Sequence, residues 1–81
     1  MAWGDMMLDH LRALREDRDL SQEAMAEFLN VHQTTYSDYE LGKSNMSAET
    51  LAKLAEFFDT SVDYLLGLTD EPKPYPRKKR R

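Results

Sequence analysis

At 81 residues, with no cysteine and a net charge of −4, the chain is one small domain, close to the size at which a single hydrophobic core just suffices. Within these residues no second domain, disulfide framework or thiolate metal site is expected. No apolar run approaches the ~18 residues of a membrane span, and the opening "MAWGDMML" lacks the basic flank and long apolar stretch of a signal peptide, so a soluble cytoplasmic protein in a reducing setting is expected. The net charge hides an asymmetry, since Lys73 to Arg81 carries +6 and residues 1–72 carry −10. On electrostatics alone, so acidic a body opposes phosphate-bearing partners.

Apolar residues recur at helical spacing throughout and β-branched residues are few, which predicts an all-helical fold. Met7, Leu8, Leu11 and Leu14 form one stripe, and with Asp5 as N-cap the first helix is expected from about Asp5 to Asp17. Leu20 then returns to the core. Ser21 caps a second helix over about 22–29, with Glu23 in its first turn, where a negative charge suits the helix dipole, and Met25, Ala26 and Leu29 on its buried side. Asn30 stands where that helix stops, and asparagine accepts a left-handed backbone.

The third helix, roughly 33–41, follows after only Asn30, Val31 and His32 and is closed by Gly42. Two helices joined by so short a turn, with a small residue, Ala26, inside the first, form the helix-turn-helix supersecondary pattern. A fourth helix is capped by Ser47, buries Leu51, Leu54, Ala55 and Phe58, and ends at Asp59-Thr60. Ser61 caps a short fifth helix with Val62, Leu65 and Leu66 inward and Gly67 at its stop. The domain is thus expected over 5–69. Residues 70–81, "DEPKPYPRKKRR", have three prolines and no apolar period, which predicts a Pro-rich basic tail, disordered or extended.

From "LRALREDRDLSQEAMAEFLNVHQTTYSDYELGKSNMSAETLAKLAEFFDTSVDYLLG" the chain resembles the lambda-repressor-like (XRE-type, Cro-like) helix-turn-helix family over residues 6–68. The order of elements and the spacing of "LSQE", "YSDYELGK" and "SVDYLLG" carry the likeness. It implies a compact five-helix DNA-binding domain, acting as a transcriptional regulator of small bacterial or phage repressor type. Its partner is then double-stranded DNA with a pseudo-palindromic operator, bound as a homodimer in the cytoplasm and on the nucleoid. Dimerisation is expected through the fifth helix, near Tyr64 and Leu68. No cofactor is expected, and no inducer can be named from these residues.

The resemblance also assigns residues. Gln22 and Gln33 match the glutamines that open the second and third helices; in the family the first touches a phosphate and braces the second against a base. Glutamine pairs bidentately with adenine N6 and N7, which makes Gln33 the leading base reader. Thr34, Ser37 and Asp38 share its face if Tyr36 and Tyr39 turn inward. Hydroxyls there can donate, accept or meet a thymine methyl, whereas the Asp38 carboxylate only accepts and stands equally as a base reader or as a group selecting against wrong partners. Lys43 is the sole cation between Ser21 and Met46 and the expected phosphate contact, with Thr35, Ser44 and Asn45 as neutral donors and His32 as a further candidate, while His10 is expected at the surface. In the family the loop holding Lys43 also offers backbone amides. Arg15 and Glu40 match a family ion pair that orients the recognition helix.

Set against this is a protein-interaction module on the same fold, for example an antitoxin-like partner. Ser21 to Met46 holds four acids and one base, which keeps that alternative open. An enzyme is not expected, because the sequence has no His and acid paired around a nucleophile, no glycine-rich phosphate loop and no metal-ligand cluster. The basic "PRKKRR" end reads as a sequence-blind phosphate contact or as a solvated tail, with a nuclear-import signal as a weaker third reading.

Overall fold

The computed structural model describes residues 7–77. Five helices follow in order: α1 (Asp9–Asp17), α2 (Gln22–Leu29), α3 (Gln33–Leu41), α4 (Ala48–Phe57) and α5 (Val62–Leu65). No strand occurs among the described residues.

Serine side chains start three of them: Ser21 accepts from the Ala24 amide at 3.0 Å, Ser47 from Thr50 at 3.1 Å and Ser61 from Tyr64 at 3.0 Å. Each takes up a first-turn amide that the helix itself leaves without an acceptor. The first helix begins later than expected, at Asp9, with Leu8 at the N-cap position and no side-chain cap; Asp5, the expected cap, lies outside the described residues. Met7, assigned to the buried stripe, is exposed ahead of α1, and the stripe proper starts at Leu8.

All five helices end alike. Asp19, Asn30, Gly42, Asp59 and Gly67 have positive φ, and the amide after each reaches back five residues: Leu20 to Arg15, Val31 to Ala26, Lys43 to Asp38, Thr60 to Ala55 and Leu68 to Asp63, at 2.8–3.1 Å. This is the Schellman closure, which gives orphan carbonyls a partner and turns the chain sharply. At Asn30 it sets α3 across α2 after a three-residue connection.

The turns gather Leu8, Leu11, Met25, Ala26, Tyr36, Leu54, Ala55, Phe58 and Leu65 into one core. Leu51, expected inside, is half-buried. Tyr36 is fully buried and meets Tyr39 edge-on, centroids 6.4 Å apart. His10, expected at the surface, stacks on the Tyr64 ring at 4.0 Å and places Nδ1 2.7 Å from the Tyr64 carbonyl oxygen, joining α1 to α5.

Residues 70–77, expected to be disordered or extended, form neither helix nor strand and are tied to the body by hydrogen bonds. The buried Thr60 hydroxyl donates to the Pro72 carbonyl at 2.6 Å, Tyr75 donates to Asp63 at 2.9 Å, and Arg77 donates to the Asp59 carboxylate at 3.3 Å and to the Ala55 and Thr60 carbonyls. Prolines limit the freedom that such a strap loses on docking, and its side chains find acceptors left at the α4–α5 corner.

Candidate nucleic-acid interface

Two tyrosines decide which way α3 faces. With Tyr36 buried and Tyr39 packed against the core, the remaining surface of the helix carries Gln33 and Thr34 exposed and Thr35, Ser37 and Asp38 half-buried beside them. None of these five side chains holds a hydrogen bond among the described residues. Their donors and acceptors stand free on one side of a nine-residue helix, short groups on a rigid support.

The amino end of α3 is also free. His32 is the N-cap residue and gives no side-chain cap, and the first turn contains no acid. The positive end of the helix dipole is therefore neither capped nor neutralised by the chain itself.

The carboxyl end is held fast. The Arg15 guanidinium donates from Nε to Glu40 Oε2 at 2.6 Å and from Nη2 to Oε1 at 3.3 Å, while Nη1 reaches the Leu20 carbonyl at 2.8 Å. Glu40 is 4% exposed, and its own carbonyl accepts from the Leu8 amide at 2.8 Å. Burial would raise the Glu40 pKa, but the hydrogen bonds from Arg15 and Gln22 together with the arginine charge outweigh it and hold the carboxyl below its ordinary value. Its hydrogen bond to Glu40 raises Arg15 in turn, against the effect of desolvation. The Tyr36 hydroxyl is buried beside this pair without a hydrogen-bond partner among the described residues, and desolvation, with the neighbouring carboxylate, pushes its ionisation far up.

Gln22 belongs to this cluster. Its Nε2 donates to Glu40 Oε1 at 3.1 Å, so the amide links the start of α2 to the end of α3 instead of bracing Gln33. Sequence spacing pairs the two glutamines but carries no sign of the Glu40 link, which depends on the angle between two helices.

The loop after α3 contributes side chains more than backbone. Lys43 and Asn45 are exposed and Ser44 half-buried, but the amides of Gly42, Lys43 and Ser44 are spent on the Tyr39 and Asp38 carbonyls. They close α3, so the backbone amides expected here for a phosphate are turned inward. His32 is exposed next to the free helix start. No group of three or more His, Cys, Asp or Glu that could hold a metal occurs among the described residues.

A sequence model described as helix-turn-helix matches residues 11–65, the span from α1 through α5. The chain belongs to the XRE-type helix-turn-helix family. This helix-turn-helix domain is 38% identical over 74 residues to the uncharacterized HTH-type transcriptional regulator YobD of Bacillus subtilis (strain 168), covering 91% of the chain and 66% of that protein. It is 39% identical over 72 residues to the HTH-type transcriptional regulator AnsR of the same organism, covering 89% of the chain and 62% of AnsR. With the cryptic phage CTXphi transcriptional repressor RstR of Vibrio cholerae it shares 38% identity over 62 residues, covering 76% of the chain and 56% of RstR. The chain thus spans somewhat less than two thirds of the length of these curated relatives. No solved structure matches it significantly.

Proposed function

We propose that the protein is a sequence-specific DNA-binding transcriptional regulator, not an enzyme, that lays α3 in the major groove. The observation that carries this is the outward side of α3, where Gln33 and Thr34 are exposed and, with Ser37 and Asp38, free of hydrogen bonds among the described residues. An α-helix fits the B-form major groove, and short polar groups reach base edges there without the entropy that long ones lose. Gln33 is the principal base reader, on adenine; Thr34 and Ser37 add hydroxyl or methyl contacts, and Asp38 accepts from cytosine N4 or adenine N6. Lys43, Ser44, Asn45, Thr35 and His32 meet phosphates. Gln22 keeps a phosphate role through its side chain while also steadying Glu40.

Relatives named as transcriptional regulators and as a phage repressor support this over a protein-interaction module. A repressor acting as a homodimer on a pseudo-palindromic operator follows the same line, with recognition helices about 34 Å apart, one turn of DNA. Leu68, 56% exposed just past α5, is the apolar residue best placed for the dimer contact, whereas the Tyr64 ring is covered on one face by His10.

Selection of bound duplexes from random DNA by the full chain, followed by titration at two salt concentrations, tests the proposal. A recovered consensus with two symmetric half-sites is expected, and Gln33→Ala is expected to relax preference at one position per half-site by about 1–3 kcal/mol. Failure to retain any duplex at low salt would refute it.

A further inference from the structure

The geometry points to a DNA-phosphate clasp formed by Arg12 and Gln22 at a cleft of about 180 Å³ between α1, α2 and α3, with the base-facing Ser37 on its rim. This rests on the regulator reading and extends it to α1 through Arg12.

The cleft's polar lining comes from Arg12, Arg15, Gln22, Ser37 and Glu40. At its base the Glu40 carboxylate is neutralised, one oxygen by Arg15 Nε and the other by Arg15 Nη2 and Gln22 Nε2. Its charge therefore does little to repel an incoming anion. On the rim stands Ser37, its hydroxyl without a partner among the described residues, one helical turn along from Gln33 and on the same face. A phosphate beside the groove that α3 occupies thus has this cleft in reach.

Arg12 supplies the positive charge. It is exposed and, among the described residues, held by one contact, Nε 3.3 Å from Glu16 Oε2, in an i,i+4 pair whose side chains are each 54% exposed. Such a surface pair is weak and screened by salt, so the guanidinium can leave Glu16 for a phosphate, which it grips with two parallel N–H donors. The acidic body thereby gains a second cation for the nucleic acid besides Lys43.

The test uses the full-length chain, a duplex recovered by selection and an unrelated duplex of equal length. Arg12→Ala should weaken binding to both duplexes by a similar factor, roughly tenfold at low salt, and reduce the salt slope by about one; Arg12→Lys should keep the slope. Thermal melting of Arg12→Gln should match the parent, because the side chain is exposed. Ethylation of single phosphates should reveal one whose modification weakens the parent but not Arg12→Ala. The clasp is overturned if Arg12→Ala leaves affinity and slope unchanged, or if the loss is confined to the selected duplex. Should the parent chain bind neither duplex, the regulator reading fails and the clasp falls with it; a parent that binds beside an unaffected Arg12→Ala sinks the clasp alone.

Discussion

Helices α2 and α3 are nearly equal in length, at eight and nine residues, and are neighbours through one tight turn, yet they are built on opposite plans. α2 opens with a serine cap and an acid in its first turn and buries Met25 and Ala26. α3 opens at an uncapped histidine with no acid nearby, and the two residues it buries, Tyr36 and Glu40, are polar or partly so. α2 completes itself from within the chain. α3 is anchored at its far end by an ion pair from another helix and left open at the end that would meet DNA. The contrast teaches that a recognition helix need not be intrinsically stable; it needs one firm attachment and a free positive end.

The largest test of that contrast removes the attachment. Arg15→Ala should destabilise the fold by about 3 kcal/mol in chemical denaturation, because the Glu40 carboxylate is left buried and unpaired. Acid should loosen the same joint. Glu40 titrates below its ordinary value of 4.5, so the stability it contributes is complete above that pH and is lost as pH falls through the lowered value. Relative to the parent, Glu40→Gln should be less stable at neutral pH and show a flatter decline in melting temperature below about pH 4.

A smaller effect separates the two helix starts. Ser21→Ala should cost about 1 kcal/mol, while His32→Ala should leave the denaturation midpoint close to the parent's, since no cap is lost there. The comparison sharpens when α3 is given what α2 already has. His32→Asp should raise stability by about 0.5–1 kcal/mol through a cap and a favourable dipole contact, and should weaken duplex binding because the new carboxylate faces the backbone phosphates. A variant that gains stability without losing affinity would show that the open start has no part in binding. The smallest change expected concerns the tail: removing residues 78–81 should shallow the salt dependence of binding, and removing 73–81 should also lower the melting temperature, since Tyr75 and Arg77 go with it.

Much of the fold was legible because its punctuation is local. Serines at 21, 47 and 61 and the left-handed residues Asn30 and Gly42 set helix limits through contacts within four or five positions, and α2 and α3 begin and end where the pattern places them. The outward face of α3 was read on the condition that Tyr36 and Tyr39 turn inward, and both do. What escaped depends on distances along the chain that no period encodes. Gln22 meets Glu40 across 18 positions, Thr60 meets Pro72 across 12 and His10 meets Tyr64 across 54. Each is decided by how helices cross or how a proline-stiffened segment folds back. The inward amides at Lys43 and Ser44 belong to the same class, because a loop's donors cannot be counted as free until its helix has been closed.

Three of the five chain reversals are made by Asp19, Asn30 and Asp59, side-chain-bearing residues in a conformation that glycine adopts with less strain. Local backbone strain is therefore held at those corners. Asp19→Gly and Asn30→Gly should tolerate the turn geometry and still fold with little net change in stability, the strain relieved being offset by the freedom glycine gives the unfolded chain, so these corners can drift in sequence while every side chain on the outer surface of α3 stays untouched.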